Sequence, residues 1–202
     1  MIRNLFSKVK NKLFPIQGYN NYVKGVSRRN IMIRGNNNSI ICKSKLGGVK
    51  ITVFGNDHKL LIEEDCIIKN AHFWFEDQDN RIIIKSKTTI EEAHLAACET
   101  CTEIVIGNDC MLSSDIRIVT TDSHSIINVH DGERINHAKS VVIGDHCWIG
   151  TRVTINKGVE IGHNSVIASN TLVTKSFPNN VVIGGIPGTI LKEGISWLRE
   201  RI

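Results

Sequence analysis

Proline is scarce in this sequence, with only Pro15, Pro178 and Pro187 among 202 residues, and no Pro/Gly/Ser-rich stretch divides the chain. One domain over 1–202 is therefore expected. Aromatic residues make up 5% of the chain, and no basic stripe is interleaved with them. That absence argues against a nucleic-acid surface, which needs stacking platforms beside its cations. No apolar run approaches the roughly 18 residues of a membrane span. No small-residue cleavage site follows the opening stretch, so a secretory leader is not expected. Six cysteines without a leader are expected as reduced thiols in the cytoplasm. Cys98-Glu-Thr-Cys101 has no second pair at similar spacing, and no metal is expected there.

What is present begins with a basic, amphipathic start. Ile2, Leu5, Phe6, Val9 and Leu13 fall on one face of a short helix, with Lys8, Lys10 and Lys12 opposite. Residues 1–20 are read as a helical cap segment, whose apolar face either packs on the body or touches a membrane surface. A net charge of +5 and a pI near 8.9 favour an anionic partner. Cofactor phosphates, an acidic polysaccharide and nucleic acid all satisfy that condition.

The repeat decides the fold class. Ile143, Ile149, Ile155, Ile161, Ile167 and Val173 recur every sixth position, and Gly144, Gly150, Gly162 and Ala168 follow four of them. Four positions after an aliphatic stand the compact Cys147, Val153, Val159, Ser165 and Thr171. A period of six suits neither a 3.6-residue helix nor an alternating strand with ordinary hairpins. It suits coils of short strands and tight corners in which each aliphatic stacks on its equivalent. Upstream, Ile40, Ile62, Ile84 and Ile106 are 22 positions apart, which predicts wider coils stacked through these residues. Six-residue steps inside those coils place Trp74 inward, after Ile62 and Ile68. An all-β solenoid over 30–185 is expected. A polar excursion around 119–142 interrupts it, and 186–202 forms a tail with a short closing helix from Gly194.

Ile143-Gly-Asp-His-Cys-Trp-Ile-Gly150, Ile161-Gly-His-Asn-Ser-Val-Ile-Ala-Ser169 and Val173-Thr-Lys-Ser-Phe-Pro178, with Gly185-Ile-Pro187 beyond, resemble the signature of hexapeptide-repeat acyltransferases. Thr120-Thr-Asp-Ser-His124, with Trp148 downstream, is most similar to the capsule sialic acid O-acetyltransferases of that family. The resemblance covers roughly 100–192 and fades over the first 60 residues. It implies a left-handed parallel β-helix, a homotrimer with active sites in clefts between neighbouring copies, and acetyl-CoA as donor. It further implies O-acetylation of a sugar hydroxyl in a capsule or lipopolysaccharide precursor. N-acetylation of an amino sugar and a non-catalytic scaffold remain alternatives.

Transfer to a hydroxyl needs a base, because a neutral alcohol is a poor nucleophile, and a histidine suits that task near neutral pH. The resemblance assigns it to His124. Asp122 has two readings, orienting the imidazole or turning the loop through its own backbone. By match to family positions, Trp148, Thr151, Ser169, Thr174, Lys175 and Lys192 are expected along the donor. Gly188 and Thr189 depart from the usual pattern there, and Trp148 has a packing alternative. Arg117 and Arg134 flank the expected site and could attract an acidic acceptor. His72 and His94 occupy equivalent positions one coil apart and are expected to stack, without the third histidine of a zinc site.

Overall fold

The computed structural model describes residues 15–202; residues 1–14 of the expected helical cap segment, with its membrane-surface role, lie outside the described residues, whereas residues 15–20 are not helical, because Ile16–Gln17 pairs with Ile33–Arg34 as the first strand of sheet 1. From Pro15 onward the chain winds into a three-sided parallel β-solenoid. Sheet 1 contains Ile16–Gln17, Ile31–Arg34, Lys50–Phe54, Ala71–Phe75, Ala93–Ala97, Ile116–Val119, Thr154–Ile155 and Leu172–Val173. Sheet 2 contains Tyr22–Lys24, Ser39–Cys42, Lys59–Ile62, Arg81–Ile84, Glu103–Ile106, Val141–Ile143 and Glu160–Ile161. Sheet 3 contains Lys45–Gly47, Ile67–Lys69, Thr89–Ile90, Met111–Leu112, Trp148–Ile149, Val166–Ile167 and Val181–Gly184, closed by the antiparallel Thr189–Glu193.

The six-residue rhythm is the wall of this prism. Ile143 and Ile161 pair in sheet 2, Ile149 and Ile167 in sheet 3, and Ile155 and Val173 in sheet 1; all are buried. The compact residues fill the corners, where Cys147, Val153, Val159, Ser165 and Thr171 are equally buried. Gly150 is needed because the next coil passes directly over it. A Cβ there would lie 2.7 Å from the Ser169 backbone nitrogen. The corner between sheets 2 and 3 takes a positive φ at Asp65, Lys87, Asp109, His146, Asn164 and Asn180. Asp and Asn lead that series because they tolerate the left-handed region better than most side chains.

The wider coils gain their residues at one place. Eleven positions separate Phe73 of sheet 1 from Ile84 of sheet 2, where six separate Ile155 from Ile161. The enlarged corner is lined inside by polar residues. Asn38 Oδ1 accepts from the His58 amide at 3.0 Å, His58 Nδ1 from the Asn80 amide at 3.2 Å, and Asn80 Oδ1 from the Thr102 amide at 2.8 Å. Burial pushes the His58 imidazole below its ordinary pKa, keeping the neutral ring that such an acceptor requires.

Three further expectations are corrected. Ile40 stacks under Leu60, not Ile62, because the first coil turns from Cys42 to Leu46 in four positions where Ile62 to Ile68 takes six. A two-residue offset preserves inward parity, so Ile40 is still fully buried. Trp74 is half-buried on the outer face, because sheet 3 reaches sheet 1 in five positions here, not six. Phe73 and Phe75 point inward in its place. The closing helix from Gly194 does not form. Nine residues nucleate a helix poorly, and this segment instead lies extended, with its groups bonded to the coils. The Trp197 ring stacks on His146 at 4.3 Å, and its Nε1 donates to the His146 carbonyl at 2.8 Å. Arg199 donates to Asp109 Oδ1 at 3.0 Å, to the Cys110 carbonyl at 3.0 Å and to Thr89 Oγ1 at 3.1 Å.

Ile67 and Ile68 test this register side by side, since Ile67 is 54% exposed and Ile68 1%. Ile68→Ala should cost about 2–5 kcal/mol by the cavity it leaves. Ile67→Ala should cost about 0.5 kcal/mol or less. Urea unfolding of the two variants checks the difference, and equal losses would contradict the assigned register.

Candidate active site

The excursion leaves sheet 1 after Val119 and rejoins sheet 2 at Val141. It grows from the same corner that is enlarged in the wider coils, and the buried polar ladder continues into its root. Thr120, fully buried, accepts from the Cys98 amide at 2.9 Å, donates to the Cys98 carbonyl at 3.0 Å and meets the Thr102 hydroxyl at 3.1 Å. At the other end the Lys139 amide closes on the Thr120 carbonyl at 2.9 Å. The loop's own arms pair antiparallel through Ile127 and Arg134, with the Ile135 amide on the Ile126 carbonyl at 2.9 Å.

Asn136 sits at the centre, and its buried side chain ties the arms together. Its Oδ1 accepts from the Ile126 amide at 2.7 Å and from Arg134 Nε at 3.1 Å. Its Nδ2 donates to Asp122 Oδ2 at 2.9 Å and to the His124 carbonyl at 2.8 Å. The His124 amide donates in turn to the Asp122 carbonyl at 2.9 Å. His124 is thereby fixed through its backbone, with an exposed side chain. The Asp122 carboxylate forms a salt bridge to Lys157 as well as accepting from Asn136. Lys157 and then Asn136 hold that carboxyl below the usual carboxylate range. Asp122 thus acts on the loop that carries His124.

Arg134 is committed inside the protein. It donates to Glu99 twice, at 2.8 and 2.6 Å, while the Thr121 hydroxyl donates to the same carboxylate. The Arg134 hydrogen bonds hold the Glu99 carboxyl at about 2. Glu99 belongs to the Cys98-Glu-Thr-Cys101 turn, whose thiols have other positions: burial pushes Cys98 up to about 12, and Cys101 is exposed. All six thiols are free. Arg117, by contrast, is exposed on the outer face of sheet 1. It is in register with His94 and lines a hollow of about 260 Å³ together with Asp122 and Ser123.

Four of the six donor-side residues lie on a different side of the prism from the excursion. Trp148 is on sheet 3, 40% exposed, with its ring 6.1 Å from that of Trp197. Thr151 and Ser169 stand at the following corner on successive coils. The Thr151 hydroxyl meets Ser113 at 2.8 Å, and the Asn170 amide reaches the Thr151 carbonyl at 2.9 Å. Thr174 and Lys175 follow Val173 at the corner that carries the excursion, further along the axis, with the Lys175 ammonium 5.7 Å from the Phe177 ring centre. Lys192 is exposed on Thr189–Glu193. The structure thus brings His124, Asp122 and Arg134 into one network, leaves Trp148, Thr151, Ser169 and Lys192 on or beside sheet 3, and sets Thr174 and Lys175 two coils further along the excursion's own corner. Among the described residues, no group of three or more His, Cys, Asp or Glu side chains could hold a metal ion. His72 and His94 do meet on successive coils, edge-to-face at 5.1 Å and not stacked, and the next residue in register is Arg117.

Glu99, Asn136 and Lys157 were missed from the sequence. No spacing rule links 99 to 134 or 122 to 157. For Asn136 the only available signal was the polarity of the excursion itself, and Glu99 and Lys157, which lie outside the excursion, had none.

The family model described as bacterial transferase hexapeptide (six repeats) matches residues 140–175. A polysialic acid O-acetyltransferase of Neisseria meningitidis is 36% identical over 157 residues, 72% of this chain and 70% of that protein. One of the same name from Escherichia coli O1:K1 is 32% identical over 120 residues, and the match spans 59% of this chain but only 39% of the relative. Among solved structures, the polysialic acid O-acetyltransferase OatWY superposes with a TM-score of 0.80 at 35% identity, covering 92% of this chain and 91% of that one. The polySia-specific acetyltransferase NeuO gives 0.68 at 25% identity, covering 91% and 87%. The architecture matches the left-handed β-helix acetyltransferase fold.

The Glu99 carboxylate is depressed in the folded chain, so its contribution is complete above the ordinary value of 4.5 and is lost as pH falls towards 2. Glu99→Gln removes the charge of the latch at neutral pH. Tryptic cleavage after Arg134 or Lys139 should then accelerate at least several-fold, as it should for the native chain probed with an acid protease near pH 3. Unchanged cleavage in both experiments would refute the latch.

Proposed function

The chain belongs to the hexapeptide-repeat acyltransferases, and from that premise we propose that it transfers acetyl from acetyl-CoA to a hydroxyl of an acidic capsular or lipopolysaccharide glycan. The observation that carries this reading is the excursion. Asn136, the Glu99–Arg134 pair and the Asp122–Lys157 pair hold one loop rigid, and that loop presents His124 from its first arm, close to its root. Such bracing suits a group that must meet a reacting atom within a fraction of an ångström.

In this reading the free imidazole nitrogen of His124 accepts the acceptor's hydroxyl proton as the oxygen attacks the thioester carbonyl. The C–S bond then breaks, and the proton leaves on the coenzyme A thiol. Asp122 works as a positioning residue through Asn136 and Lys157. Trp148, Thr151 and Ser169 would lie along the pantetheine arm, with Thr174, Lys175 and Lys192 towards the nucleotide. Lys175 and Lys192 offer the positive charge that phosphates require.

His124 and Trp148 leave the prism on different flanks, so a cleft between copies completes the site more readily than one chain alone. We propose a homotrimer on that ground. The excursion supports it by exposing Ile126, Ile127, Val129 and Ile135 at 54–87%, an apolar cluster that would gain from cover by a neighbour. Relatives named as polysialic acid O-acetyltransferases support the acceptor class. No helix among the described residues is long and apolar enough to cross a membrane, and we place the reaction in the cytoplasm, where the donor is made.

His124→Ala should lower kcat by about 10²–10⁴ with little change in acetyl-CoA affinity, followed as free thiol release with a sialic acid polymer as acceptor. Full turnover in that variant would remove the assigned base. Lys175→Ala should raise the KM for acetyl-CoA about threefold to tenfold and leave the acceptor KM unchanged. An unaltered donor KM would displace Lys175 from the phosphates.

A further inference from the structure

One register position on the outer face of sheet 1 carries Lys50, His72, His94, Arg117 and Thr154 on successive coils. Neighbouring parallel strands are about 4.8 Å apart. Lys50 and Arg117 therefore stand roughly 14 Å from each other, with two imidazoles between them. The His72 ring meets His94 edge-on at 5.1 Å, and Trp74 stands edge-on to His72 at 5.4 Å. A hollow of about 360 Å³ is lined by the middle of this ladder, His72, His94 and Arg117, and runs past Trp74 to Thr121 and Ser123, with Lys50 one coil beyond His72. A second hollow, of about 340 Å³, shares His72, His94 and Arg117. The third, with Arg117, Asp122 and Ser123, continues the groove to the residue before His124.

We infer that this ladder is the acceptor track: it binds an extended glycan bearing carboxylates, with Lys50 and Arg117 pairing the acid groups and His72, His94 and Trp74 contacting the sugar between them. The inference rests on the acetyl-transfer reading for its purpose, and on the groove alone for its binding. Neither Lys50 nor Arg117 is in an ion pair among the described residues, so both charges are available. Burial, with Lys50 nearby, lowers the His72 imidazole to about 4, and burial with Arg117 nearby lowers His94. The Thr52 hydroxyl already engages His72 Nε2 at 3.0 Å, which leaves that ring's Nδ1 and the neutral His94 ring to meet hydroxyls. Carboxylates also line the groove: Glu76 on the Trp74 side, Glu92 and Asp115 at the far end, and Asp122 neutralised by Lys157. They favour a glycan whose acid groups are separated by hydroxyls over a polyphosphate backbone. Nucleic acid fits poorly, because it asks for a denser row of cations and several stacking rings, and this face offers one indole.

The test is calorimetric titration of the full chain with a sialic acid hexamer, with maltohexaose and an oligo-dT hexamer as neutral and polyanionic controls. The sialic acid hexamer should bind at least tenfold more tightly than either control. Lys50→Gln and Arg117→Gln should each weaken it about fivefold to tenfold, Trp74→Ala should weaken it as well, and His124→Ala should leave it within twofold. Oligo-dT binding as tight as the hexamer, or both cation variants binding like the native chain, overturns the track. Charge-dependent hexamer binding without any acetyl transfer would leave the track standing and defeat the proposed chemistry. Acetyl transfer whose acceptor KM ignores both cation variants would do the reverse.

Discussion

A solenoid corner takes backbone amides out of their ladders, and each amide left buried without a partner costs about 1–3 kcal/mol. In this chain the corner between sheets 1 and 2 meets that demand with side chains passed from coil to coil. Asn38 serves His58, His58 serves Asn80, Asn80 serves Thr102, and Thr102 meets Thr120. Asn38, His58 and Asn80 each satisfy an amide of the next coil, and Thr120 satisfies the Cys98 amide of the coil before it, so losing any of these four side chains orphans an amide. The excursion is built on the last of these rungs. An insertion of this length on a mobile root would place His124 nowhere in particular; on Thr120 it starts from a fully buried, triply bonded residue.

The same economy runs through the loop. Its ion pairs are partly exposed and would be worth little singly. Their value lies in connectivity: Glu99 gathers Arg134 and Thr121, Asp122 gathers Lys157 and Asn136, and Asn136 also holds the His124 carbonyl. Arg134 illustrates how a residue expected to face substrate can be consumed in shaping the site. Arg117 is in no ion pair among the described residues.

The fold was legible wherever the period was strict. Six equally spaced aliphatics from Ile143 to Val173 correspond one-to-one with stacked, buried residues. It was less legible where coil length varies, because a periodic search cannot tell which corner holds the extra residues. Ile40 kept the right spacing with the wrong partner, and Trp74 kept the right step on the wrong face. The tail was misread because local propensity takes no account of His146 and Asp109, which hold Trp197 and Arg199 from coils more than 50 positions away. At the site, the excursion and its histidine were visible through resemblance, whereas the bracing depends on contacts between distant segments that no motif encodes.

The last strand also governs how copies of this molecule can meet. A stack of parallel coils ends in open backbone, a template on which another chain could add by hydrogen bonding. Thr189–Glu193 folds back antiparallel over Val181–Gly184 with an irregular register and all five residues exposed, including Lys192 and Glu193. That reversal spoils the pattern a further coil would need and puts charge on the rim. End-to-end filaments are thereby discouraged on this side of the prism.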